Sequence, residues 1–220
     1  MSLFSISDAS SLSRQAQLRL DRAIEVAETF IYKFDENDWA SLTKNVFGYS
    51  LNNVPGNVLV SMLDNRALKG KAGAYLGSVG ALGQQIFLNS ELLEQADDNF
   101  VIALLLEEYG HHLDYIINSG VDTFGDEGAI FSCLVRGLDA PIFEKNEKDT
   151  FRLLVGQSYF DVESSNSALS FFRTTPDGQE IPASASSVGG ILLQLTGLNG
   201  TSIYTQAAAS GLYKGFFENA

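Results

Sequence analysis

Histidine occurs twice in this chain of 220 residues, cysteine once, tryptophan once and proline four times, and 14 Lys plus Arg stand against 27 Asp plus Glu. The shortages of cysteine, histidine and positive charge each remove a class of function. The lone Cys133 permits neither an internal disulfide nor a cysteine-based zinc site. Any metal must therefore be held by histidine and carboxylate. A net charge of −13 repels phosphate backbones and anionic lipid surfaces alike, which argues against nucleic acid and membrane as partners. Nowhere do about 18 apolar residues run uninterrupted, and the opening MSLFSISDASSLSRQAQ has neither the basic start nor the apolar run of a secretory signal. The expectation is a soluble chain, cytoplasmic or exported by a signal-less route.

What is present can build a core. Hydrophobic residues make up 45% of the chain and include 15 Phe, enough at this length for one substantial domain, or one with a smaller appendage. Leu12, Ala16, Leu20, Ala23, Ile24, Ala27, Phe30 and Ile31 recur at close to a 3.6 period, which predicts a long amphipathic helix over 10–33. A shorter helix is expected over Trp39–Val46, then a break at 50–57 in SLNNVPGN. Glycines at 70, 73, 77, 80 and 83 disfavour helix, so AYLG and QQIFLN are read as two short strands around a turn. Ser90 is read as the cap of a helix over Glu91–Ala96, and the next helix spans about 100–118. Asp126–Arg136 reads as a helix stopped by Gly137, with Thr123 and Asp126 in capping-box spacing. DTFRLLVGQSYFDVE fits helix or strand, and RTTPDGQEIP looks like a turn.

Both histidines fall in LLLEEYGHHLDYIINSG, residues 104–120. On a helical wheel, with about 100° per residue, Glu107, His111 and Asp114 share one face. Glu108 sits on the flank near His112, while Ile102, Leu105, Tyr109, Leu113, Ile116 and Ile117 gather opposite. Gly110 costs about 1 kcal/mol relative to alanine inside a helix, which a close backbone approach would explain. Ligands at i and i+4 reach one ion, and Glu107 and His111 satisfy that spacing. Glu108 then lies where a general base for a bound water belongs. A third ligand must be a carboxylate from elsewhere. The helix start GDEG offers Glu127 as first choice and Asp126 as second. One His with two carboxylates is a harder donor set than two His with one Glu, so a divalent manganese, iron or calcium ion competes with zinc. The plainer reading is a solvated helix face with Glu–His pairing at i,i+4, and Asp126 and Glu127 serving only the dipole of their helix.

LLLEEYGHHLD followed by VDTFGDEGAIFSCLVRG resembles the LLEEIGH…GDEGxxFSxLVRG segment of a domain found near the front of large cyanobacterial proteins with calcium-binding repeats. GQQIFLNSELL is similar to that domain's TIYLS-type strand and helix. More distantly, EEYGH resembles the HEYGH form of the zincin metallopeptidase helix. The resemblance covers roughly 75–137. It implies a zincin-like fold, with Glu108 as general base, His111 as ligand and Glu127 as carboxylate ligand. Glu107 stands where zincins have histidine, and acidic glycine-rich calcium repeats are missing from this chain.

These readings converge on an α+β protein, mainly helical with a small β-sheet or hairpin and zincin-like. Residues 1–140 form the domain, and 141–220 an extension packing on the same core. The expected function is that of a metal-dependent, peptidase-like hydrolase acting on a peptide or small-molecule substrate. Its metal would be held by Glu107, His111 and Glu127, with Glu108 as base. The alternative is a degenerate, non-catalytic module of a larger calcium-associated assembly.

Overall fold

The computed structural model describes residues 2–77, 83–120, 126–139 and 150–164, and the backbone of 172–174 and 180–182. Its elements run β1 (Phe4–Asp8), α1 (Arg14–Tyr32), α2 (Glu36–Phe47), β2 (Val58–Leu63), β3 (Gly73–Leu76), β4 (Gln85–Asn89), α3 (Ser90–Gln95), α4 (Asp98–Ile117), α5 (Glu127–Val135), β5 (Thr150–Val155), β6 (Ser158–Ser164), β7 (Phe172–Thr174) and β8 (Glu180–Pro182). The chain is α+β, as its sequence indicates. The sheet is larger than expected, with six strands in the order β1-β2-β4-β3-β6-β5.

Strands β1, β2 and β4 are parallel, and β3, β6 and β5 continue the sheet antiparallel. From Thr150 onward the ambiguous DTFRLLVGQSYFDVE is the β5–β6 hairpin, turned at Gly156 with φ 64°. The strand at Val58–Leu63 follows the expected break and carries the alternation of a half-covered strand. β7 and β8 take in the two ends of RTTPDGQEIP and pair with each other, while its residues 175–179 lie outside the described residues. The extension over 141–220 is described only at 150–164, 172–174 and 180–182, and there β5 and β6 belong to the same sheet as β1–β4.

Alternation decides what each face of the sheet buries. Tyr75, Ile86 and Leu88 enter the main core beneath the helices, while Ala74, Leu76 and Phe87 join Leu68, Leu153 and Val162 on the other face. α1 is capped by Ser13, whose side chain accepts from the Ala16 amide, and α2 by Asp35, which accepts from Asn37 and Asp38. α2 ends at Gly48 with φ 84°. Asn89, rather than Ser90, caps α3, its side chain accepting from the Glu91 and Leu92 amides. Asp97 caps α4 through the Phe100 amide.

α4 is the central element. It packs on α1, α5 and β3, and every residue from Phe100 to Asp114 is buried. The amphipathic second half expected from the wheel therefore has no wet face. Helices cover one side of α4 and the sheet the other, so its polar stripe is enclosed along with its apolar one. At about 1.5–3 kcal/mol per large apolar side chain, Leu104, Leu105, Leu106, Tyr109 and Leu113 anchor α4 firmly enough to carry buried ionisable groups. No described helix is long and apolar enough to cross a membrane.

Candidate metal centre

Two glycines bring α4 and α5 into close contact. A Cβ on Gly110 would stand 2.6 Å from the Cα of Gly128, which is the close approach that a mid-helix glycine implies. Asp126, the cap of α5, accepts from the Ala129 amide at 2.8 Å and is held at the start of the helix. This crossing brings Asp126 up to Glu107 and His111. The three offer ligand atoms within 4.8 Å of one another, and all three residues are buried.

Asp126, the second choice from sequence, is the carboxylate in this trio. Glu127 is buried beside it in the first turn of α5 and is not one of the three. Asp114 is also buried and accepts from the Asn118 side chain at 2.7 Å, a contact that closes the end of the helix. The face shared by Glu107 and His111 looks toward α5. The flank carrying Glu108 and His112 looks toward β3, as the wheel separates them. The Glu108 carboxylate lies against Gly73, where a Cβ would clash with it. Tyr75 Oη lies 3.2 Å from His112 Nδ1, and a Cβ on Gly77 would strike the ring of Tyr115. The glycines of 70–83 thus make room for α4 at positions 73 and 77.

His111 joins the two sides. Its Nδ1 lies 3.1 Å from Glu163 Oε2 on β6, and its Nε2 lies 4.0 Å from Asp126 Oδ1. That Nε2 is buried and makes no hydrogen bond among the described residues. Burial by itself pushes the His111 pKa down. The hydrogen bond and charge of Glu163, joined by the charges of Glu108 and Asp126, outweigh burial and hold it well above its ordinary value. His112, with burial prevailing over the backbone of Gly56, is held down to about 4 and is neutral near pH 7. Burial also pushes the Cys133 thiol up, so a thiolate is disfavoured and the donor set stays oxygen and nitrogen.

One imidazole meets the carboxylates of Glu107, Asp126 and Glu163 and feels the charge of Glu108. Even protonated, it offsets a single negative charge. Buried carboxylates at this density need a cation, shared protons or hydrogen bonds, and an unpartnered imidazole nitrogen is a ready ligand. The buried Glu107–His111–Asp126 group could hold a divalent metal.

Glu163 is the member that sequence reasoning does not name. Alternation in SYFDVES allows a strand, but no local signal ties its acid to a histidine on a distant helix. No family model, curated protein or solved structure matches the chain.

Proposed function

We propose that the chain is a metal-dependent hydrolase of the zincin-like kind, acting on peptide or amide bonds. The observation that carries this reading is His111 Nε2, buried with no hydrogen bond among the described residues and aimed at two carboxylates. Glu107, His111 and Asp126 would hold the ion, which would supply a Lewis acid for a polarised carbonyl. Manganese, iron, calcium and zinc all fit one imidazole with carboxylates. Glu108, close enough for its charge to act on His111, would take the proton from an attacking water and return it to the leaving amine. A mixed sheet with α4 laid against β3, together with the resemblance of EEYGH, supports the zincin-like comparison.

A second reading is favoured by burial. Glu107, Glu108, His111 and Asp126 are each at most 3% exposed, whereas a catalytic metal keeps an open position. β3 is paired by β4 on one side and by β6 on the other, so a peptide cannot add to it as an extra strand. The ion would then be structural, in a non-catalytic module.

Elemental analysis of purified protein, followed by Glu108→Gln on a peptide panel, separates the two. Bound metal with hydrolysis lost in Glu108→Gln supports the hydrolase. Bound metal, no hydrolysis by the wild type and a melting temperature that falls with chelator support the structural module. A wild type that binds no divalent ion refutes both.

A further inference from the structure

We propose that Glu163 is the positioning residue of the metal centre, so that the β5–β6 hairpin completes a site otherwise built on α4 and α5. This rests on the metal reading above and adds a residue from a different part of the chain. Histidine binds a metal through one ring nitrogen, and the hydrogen bond made by the other decides which. Here Nδ1 faces Glu163 Oε2 at 3.1 Å. A carboxylate accepts only, so Nδ1 carries the proton and donates it. That leaves Nε2 as the nitrogen open to a metal, which displaces any proton held there, and it is the nitrogen turned toward Asp126 within the trio.

The placement of Glu163 is fixed by the sheet. Its backbone pairs with Tyr75 of β3, and its neighbours Val162 and Ser164 are buried on the other side of the strand. Its side chain is 14% exposed, which strengthens a charge-assisted hydrogen bond over one in open water. A carboxylate donating electron density through the ring also raises the basicity of Nε2 toward a metal. Glu163 is not one of the trio. It acts through His111.

The test is calorimetric titration of the full chain with Zn2+ and Mn2+, for wild type, Glu163→Gln and Glu163→Leu, with 15N shifts of the His111 ring recorded on the metal-free proteins at a pH high enough for the ring to be neutral. Tyr159→Ala, at an exposed position of the same hairpin, is the control. Glu163→Gln keeps an acceptor for Nδ1–H but loses the charge, so affinity falls about 10–100-fold while the Nδ1–H tautomer persists. Glu163→Leu loses both, binds more weakly still and shifts the ring toward the Nε2–H form. Tyr159→Ala binds as wild type. Unchanged affinity in Glu163→Gln, or an unchanged tautomer in a folded Glu163→Leu, overturns the proposal while the metal site stands. Should Glu163→Leu fail to fold, the isosteric Glu163→Gln decides by affinity. A wild type that binds neither ion sinks the metal reading itself and this role with it.

Discussion

Gly128 of α5 leaves the space in which His111 of α4 presents its Nε2: a Cβ at position 128 would stand 2.7 Å from that nitrogen and 2.6 Å from the Glu107 carbonyl oxygen. Gly128→Ala therefore pushes on the imidazole and on the α4 backbone at once. Overpacking of this kind costs about 1–3 kcal/mol, and the backbone atom in contact cannot swing aside. Urea unfolding should show that loss with chelator present, and the stabilisation by added metal should disappear. Retained metal binding in Gly128→Ala would mean that the ion does not use His111 Nε2.

Metal and folding should be linked. A divalent ion that binds only the folded chain, present at about 100 times its Kd, adds about 2.7 kcal/mol. At roughly 2–4 °C per kcal/mol for a domain of this size, the melting temperature rises by about 5–10 °C. Chelator reverses the rise, and His111→Ala abolishes it. A wild-type melting temperature indifferent to every divalent ion would count against the site.

Tyr75→Phe tests the β3 side of α4 separately. It removes the hydroxyl 3.2 Å from His112 Nδ1, while the backbone of Gly56 still hydrogen-bonds the ring. The cost is about 0.5–1.5 kcal/mol, read as a lower urea midpoint with unchanged metal affinity. A tenfold fall in affinity would instead place His112 within the centre.

Acid should loosen the junction of α1 and α3. Glu94 accepts from the Ser13 hydroxyl and amide, each at 2.6 Å, and these bonds hold its pKa below the usual 4.5. Because the folded value lies below the unfolded one, the contribution is present above the unfolded pKa and is lost as pH falls through the folded pKa. Glu94 is largely solvated, so the effect stays under about 1 kcal/mol. Carboxyl NMR should place the Glu94 midpoint below 4.5, and Ser13→Ala should return it toward that value. An unshifted wild-type midpoint would contradict the contact.

Much of the local structure is written in the sequence, because helix and strand periods come from backbone hydrogen bonding between near neighbours. The repeat from Leu12 to Ile31 marks α1, QQIFLN marks β4, and the i,i+4 spacing of Glu107 and His111 puts both on one face of α4. Gly110 announces a close helix crossing. Three features are not local and were decided by tertiary packing. The phase of α5 against α4, set where Gly110 meets Gly128, brings Asp126 rather than Glu127 into the trio. The two-sided covering of α4 turns an expected wet face into a buried one. The register of β6 against β3 delivers Glu163 to His111 from a segment whose own sequence fits helix or strand equally well. Periodicity says which way a side chain points on its own element. Which partner waits there depends on how separate elements dock, and that is set by the packing of the whole core.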